Sequence, residues 1–207
     1  MALSARLRSV LRFAKRCALR VFSRYSWLLL VADTSKAAEP EAIQADRFQV
    51  SFGRHLQSDA LAFLQSADPY SHSDARRRLI DHDVAVIGRV DGDIAYVSWL
   101  RGDIQMRDVP PKAIESFKEP SGYLWGILVA PQYRGRGIAT HVGAEALRYC
   151  QYAGWRWVWV SIHQSNIGSL RSHIRQGFLP VGTKTRWIVC GITIWSFRIL
   201  LPYAAIK

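Results

Sequence analysis

Acidic residues are missing from the start of this chain: none precedes Asp33. Cysteine is scarce throughout. Cys17, Cys150 and Cys190 stand in no metal-binding or redox spacing. An odd number outside any framework excludes a disulfide scaffold and fits a reducing compartment. Each reads as a small buried apolar side chain. Long hydrophobic runs are missing too. The stretches Ser26–Ala32 and Trp187–Phe197 are far shorter than the roughly 20 residues that span a bilayer. There is no internal repeat, no low-complexity tract and no cluster that calls for a metal. What remains is ordinary globular material. With 207 residues, 49% hydrophobic and 21% charged, the chain can bury a sizeable core in one domain with an appendage.

The most informative stretch is Arg134-Gly135-Arg136-Gly137-Ile138-Ala139. It follows the apolar run Tyr123–Val129 and the breaker Ala130-Pro131. A strand, a glycine-bearing turn and a helix start in that order make an anion cradle, because the first N–H groups of a helix lack internal partners and its dipole favours negative charge. Gly135 and Gly137 let a ligand approach the backbone. Arg134 and Arg136 add positive charge suited to phosphate. A P-loop would need Lys-Ser or Lys-Thr where Ile138-Ala139 stands. A dinucleotide fingerprint would need Gly or Ala where Thr140 stands.

The pattern Arg134, Gly137, Ala139 resembles the pyrophosphate loop of the acetyl-CoA-dependent N-acetyltransferases, the GNAT superfamily, and Val129-Ala130-Pro131-Gln132-Tyr133 resembles its lead-in. A second match follows. Asn166, Ser169, His173 and Gly177-Phe178 resemble the family's last motif, in the expected order and spacing. The resemblance covers roughly residues 45 to 200 and weakens towards its N-terminal part. It implies an α/β fold: a mixed, largely antiparallel sheet of six or seven strands with flanking helices, splayed between its central strands.

The coarse reading of the chain agrees. Phe48–Phe52 suits a first strand, and Leu56–Ser66 and Ser73–Leu79 suit helices. Val84–Val90 and Ile94–Leu100 flank Asp91-Gly92-Asp93, a hairpin signal. Tyr123–Val129 is the central strand, Arg134–Ala153 the long helix, and Trp155–Ile162 a strand buried on both faces. Ser169–Arg175 is a helix by family analogy. Phe178–Thr185 and Ile188–Phe197 close the sheet. An acyltransferase domain over 46–202 is expected, preceded by a linker over 31–45.

The N-terminal 30 residues read differently. Seven basic residues, Arg6 to Arg24, precede the first acid, leaving +5 of the net +12 to the rest. At helical spacing the apolar residues from Leu3 to Phe22 share one sector, which predicts a basic amphipathic helix over 1–30. Four roles stay open for it: packing on its own domain or a partner chain, lying on an anionic membrane surface, serving as a cleaved targeting peptide, or contacting nucleic acid. No aromatic-interleaved basic motif supports the last. The expected location is cytoplasmic, including peripherally at the inner face of the membrane. A homodimer is compatible with the chain.

The resemblance also implies a site. The main chain of Ile127, Leu128 and Val129 would pair with the pantetheine arm of acetyl-CoA like an added strand. Arg134, Gly135, Arg136, Gly137, Ile138 and Ala139 would hold its pyrophosphate. Asn166 would reach its amide, with a helix N-cap as the alternative. Ser169 belongs to the same motif, and Arg171 and Arg175 lie one turn apart. The reaction implied is direct attack of a small-molecule amine on a thioester, with no metal. Many members place a Tyr where His173 stands, to protonate the departing thiolate; some branches carry His. His173 is thus the candidate acid, with simple packing under the cofactor as the alternative. No base is evident: the central strand has no acid and Ser161 occupies a position where members often carry Glu. His163, Glu119, Asp103 and Asp108 are candidates by position. Trp99, Tyr123 and Trp125 are candidate acceptor walls. A non-catalytic acyl-CoA sensor or subunit is the competing reading.

Overall fold

The computed structural model describes residues 22–37, 39, 48–54, 58–67, 83–102, 104, 109–110, 117, 119–189 and 192–200. Their elements follow in chain order: β1 (Phe22–Asp33), β2 (Phe48–Gly53), α1 (Ser58–Ala67), β3 (Val84–Val90), β4 (Asp93–Arg101), β5 (Ser121–Val129), α2 (Ile138–Tyr152), β6 (Trp157–His163), α3 (Ile167–Arg175), β7 (Leu179–Val189) and β8 (Ile192–Ile199). The strands form one eight-stranded sheet in the order β2-β3-β4-β5-β6-β1-β7-β8. Every neighbouring pair is antiparallel except β5–β6.

The mixed, largely antiparallel sheet is the expected class, with one strand more. That strand, β1, corrects the N-terminal reading. Residues 22–30 are not helix and 31–33 are not linker. The expected helix over residues 1–21 lies outside the described residues. The reason is burial on two faces. Leu29 and Val31 face one core cluster, and Leu30 and Ala32 the other. A strand covered on both sides reads as an unbroken apolar run and shows no period that separates it from a helix. β1 lies between β6 and β7, pairing Leu29 with Ser161 on one side and with Gly182 on the other. The folded domain therefore starts before residue 46.

Other expectations match to within a few residues. Asp91 and Gly92 take positive φ of 51° and 88°, as the tight β3–β4 turn requires. α1 begins at Ser58; the helix read over Ser73–Leu79 lies outside the described residues. The last hairpin turns between Val189 and Ile192, later than read. α2 begins at Ile138 rather than Arg134, because Gly135 and Gly137 are left-handed.

α2 covers one face of the sheet. Ile138, Val142, Ala146 and Cys150 recur every fourth residue and are buried, so one stripe of the helix enters the core. Cys150 is the small buried residue expected; Cys17 and Cys190 lie outside the described residues. On the opposite face α1 buries Ala60 and Leu64 against Ala85, Val97 and Trp99. Beside them Val109 and Phe117 pack on Trp157 and Trp159.

Candidate active site

Two distortions open the centre of the sheet. The first is in β5. Trp99 pairs with Trp125, yet Val97 pairs with Leu128, so Gly126 and Ile127 together oppose Ser98. Gly126 sits at φ 61°, a bulge conformation that glycine takes without strain. The second is the parting of β5 from β6. Their pairing runs from Ser121–Trp157 to Leu124–Val160 and stops, although β5 continues to Val129 and β6 to His163. The main chain of β5 beyond Leu124 thus faces a gap on the β6 side. A cavity of about 690 Å³ opens there, walled by the end of β5, the 133–140 turn and α3.

The turn fits a phosphate. Gly137 is the N-cap of α2, and no side chain caps the first turn. The first intrahelical bonds, from Thr140 and His141, both end on the Gly137 carbonyl, so the N–H groups of Ile138 and Ala139 precede the ladder. Gly135 and Gly137 have φ of 75° and 77°, and a Cβ on either would meet nothing within 4 Å, so their backbone lies open. Arg134 is tied down by its Nε, which donates to the Val129 carbonyl at 3.2 Å. Backbone donors, an unopposed helix dipole and an anchored guanidinium together favour an anion.

The second motif forms the other wall. Asn166 caps α3: its Oδ1 accepts from the Ser169 N–H at 3.1 Å, which is the N-cap alternative read from the sequence. Its Nδ2 keeps its donors, and the residue lines the cavity. His173, on the buried side of α3, is 3% exposed. Its Nδ1 lies 2.8 Å from the Ser169 carbonyl and 3.5 Å from the Ser169 hydroxyl. Its ring meets Phe178 edge-on. A carbonyl only accepts, so Nδ1 carries the proton. Nε2 is buried without a hydrogen-bond partner. Burial holds the imidazole below the ordinary histidine pKa, opposed by the hydrogen bond to Ser169. The ring is therefore neutral near pH 7, and Nε2 is a bare lone pair.

Ile127, Leu128, Val129, Arg134, Gly135, Gly137, Ile138, Ala139, Asn166, Ser169 and His173 all line this one cavity, with Arg171 and Arg175. Arg136 does not. Its guanidinium lies over the Tyr133 ring at 5.7 Å. Tyr133, Thr140, Gly168 and Ser172, none of them a site candidate in the sequence, also line it. The Thr140 and Ser172 hydroxyls lie 3.1 Å apart and join α2 to α3. Their signal was helical spacing, three residues beyond Gly137 and Ser169.

The base candidates scatter. Glu119 accepts from the Trp157 indole at 3.1 Å. His163 accepts on Nδ1 from the Ser165 main chain at 3.3 Å, which in the neutral ring leaves its proton on Nε2. Asp103 and Asp108 lie outside the described residues. Trp99 is fully buried core. The Tyr123 hydroxyl donates to Ser161 at 2.8 Å. Trp125 is half-buried and donates to Asp83 at 3.1 Å. Among the described residues no group of acidic, histidine or cysteine side chains could hold a metal ion, and no helix is long and apolar enough to cross a membrane.

Comparison with known proteins meets this geometry. The family described as "Acetyltransferase (GNAT) family" matches residues 45–178. The N-alpha-acetyltransferase MAK3 of Arabidopsis thaliana is 28% identical over 81 residues, 39% of this chain and 43% of that protein. Among solved structures, a GCN5-related glucosamine N-acetyltransferase region of a fungal multi-domain GH3 beta-N-acetylglucosaminidase superposes with a TM-score of 0.60 at 20% identity, over 88% of this chain and 23% of that one. A GNAT-family acetyltransferase from Colwellia psychrerythraea gives 0.56 at 16% identity, over 92% and 62%. The chain thus spans less than two thirds of each relative, and the structural likenesses speak for the fold alone. A matched domain over most of the chain, together with a bulged central strand, a glycine turn and a splayed sheet, places this protein in the acetyltransferase (GNAT) family.

Proposed function

We propose that the protein is an acyl-CoA-dependent N-acyltransferase that moves an acetyl group from acetyl-CoA to a primary amine by direct attack. The observation that carries this is the joining of both motifs around one gap in the sheet. Main-chain groups of Ile127 to Val129, released from β6, suit the amides of an extended pantetheine arm. The turn at Gly135–Ala139 suits its pyrophosphate, with Arg134, Arg171 and Arg175 around it.

Transfer forms a C–N bond, breaks a C–S bond and moves one proton from nitrogen to sulfur. The bare Nε2 of His173 is suited to that proton. It accepts it as the amine bonds, and the imidazolium, made acidic by burial, returns it to the departing thiolate. This differs from the resident acid that the resemblance implied, because a buried neutral histidine stores no proton. Free thiol release with a mixed amine panel between about pH 6 and 9 tests both ideas. Release that depends on one amine class establishes transfer. Bound but unconsumed acetyl-CoA across the panel would instead favour a sensor or subunit. Unchanged turnover in His173→Phe would remove the proton role.

A second reading concerns location. Phe22 stands opposite Val189, and Val189 opposite Ile192. Arg24, the last cation of the basic segment, stands opposite Trp187 on β7, and the neighbouring edge strand β8 carries Ile192 and Ile194, which are 66% and 51% exposed. Basic charge next to exposed apolar residues supports peripheral contact with an anionic membrane from the cytoplasmic side. Co-flotation with anionic but not neutral vesicles, lost on reversing the charges of Arg12, Lys15 and Arg16, is expected. Equal flotation with both vesicles would sink it.

A further inference from the structure

The face of the sheet opposite α2 ends in a cluster of cations and rings that the acyl-transfer reading leaves unused. Cross-strand register puts His163, Trp27 and Lys184 in one row, and Tyr25, Arg186 and Trp195 in the next. Residues directly opposite in antiparallel pairs share a face. The Arg186 guanidinium carbon lies 4.6 Å from the Tyr25 ring centre and 5.8 Å from those of Trp27 and Trp195. The Lys184 ammonium lies 4.8 Å from the Trp195 ring centre, and the His163 ring meets Trp27 edge-on.

Arg186 is short of acceptors. Its Nε is buried and makes no hydrogen bond. No carboxylate among the described residues pairs with it. A guanidinium carries five donors in a planar fork, and ring faces attract its charge without accepting those donors as an oxygen would. Leaving such a donor unpaired is costly. An oxyanion would complete it, since a carboxylate or phosphate matches the fork with two oxygens. The box is also open to a visitor: Tyr25 is 39% exposed and Trp27, Arg186 and Trp195 are half-buried.

Position links the box to the gap. His163 ends β6, where β5 has already parted from it, and Asn166 just beyond lines the cavity. From β7 through β1 to β6 is two strand spacings, on the order of 10 Å. We infer that the acceptor is an anionic amine, with its carboxylate or phosphate held by Arg186 among Tyr25, Trp27 and Trp195 and its amine at the gap beyond β6, more than two strand spacings and so upwards of roughly 10 Å away. This rests on the acyl-transfer reading for the amine, but the anion site stands on its own geometry. The separation disfavours a free α-amino acid, whose two charges are adjacent, and favours a short peptide or an aminoalkyl phosphate.

The test separates binding from turnover. N-acetylated alanyl-phenylalanine, which cannot be acylated again, is titrated calorimetrically as the free acid and as the C-terminal amide. A phosphate monoester and its parent alcohol form the second arm. The wild type is expected to bind the charged member of at least one pair about tenfold more tightly, with a preference that weakens as salt rises. The arm that discriminates names the oxyanion. Arg186→Gln should bring the preference close to one, and Arg186→Lys should keep only part of it. Unchanged thermal unfolding would show that each variant folds. Equal binding within both pairs, or a preference that survives Arg186→Gln, overturns the inference. Thiol release with neutral amines as fast as with their anionic partners also overturns it while leaving acyl transfer intact. Arg186-dependent binding without thiol release upholds the anion site and overturns acyl transfer instead.

Discussion

The Nδ1 atom of His173 lies 2.8 Å from the main-chain oxygen of Ser169, one helical turn earlier. This bond fixes the tautomer, and burial lowers the pKa. The folded protein therefore binds this proton less readily than the unfolded chain does. The stability linked to it is fully present above the unfolded value of about 6.5 and is lost as pH falls through the lower folded value. Calorimetric unfolding from about pH 7 to about pH 5 should show the wild type losing Tm faster than His173→Phe. Parallel slopes would mean that His173 does not titrate in this way. The acidic limb of thiol release should likewise fall below the ordinary histidine range.

Asn166 both caps α3 and lines the cavity, and two substitutions separate these jobs. Asn166→Asp keeps the capping oxygen but loses the amide donors. It should unfold near the wild-type temperature and bind coenzyme A less tightly. Asn166→Ala loses both, with about 1 kcal/mol of stability for the cap. Unfolding curves beside calorimetric titration of coenzyme A distinguish the two effects.

Gly126 holds the bulge that turns the end of β5 towards the gap. A side chain at its φ of 61° costs about 1–2 kcal/mol. Gly126→Val should lower Tm and weaken coenzyme A binding together, because relief of the strain re-registers Ile127 to Val129. Normal affinity in a folded variant would show that the bulge is not needed for the donor.

Asp83 and Arg101 form a buried two-pronged pair at 2.8 and 3.1 Å, and Asp83 also accepts from the Trp125 indole. Asp83→Ala removes the carboxylate from this buried pair and should cost about 3–5 kcal/mol. Replacing both partners, as Asp83→Leu with Arg101→Met, should recover most of that loss. Chemical denaturation of the two variants measures the difference.

The site was more legible than the sheet. Gly135, Gly137 and Ala139 work through local backbone geometry, so their spacing reveals the cradle whatever else the chain does. The helix carrying His173 was legible only by family analogy, and the structure shows Asn166 capping it. Arg136 looked equivalent to Arg134, but only Arg134 can reach the Val129 carbonyl while Arg136 lies over Tyr133. Both sit in one short turn, and packing alone separates them.

By itself the sequence determined the glycine turn after β5, the long helix behind it and the β3–β4 hairpin. Each of these rests on residues close together in the chain, where turn chemistry and helical or strand period act directly. Only the tertiary structure decided that residues 22–33 form a strand between β6 and β7. Its partners lie more than a hundred residues away, and its two buried faces erase the period. The same long-range pairing put Arg186 of β7 against Tyr25 and Trp27 of β1. The neutral state of His173 likewise comes from burial, which no local pattern expresses.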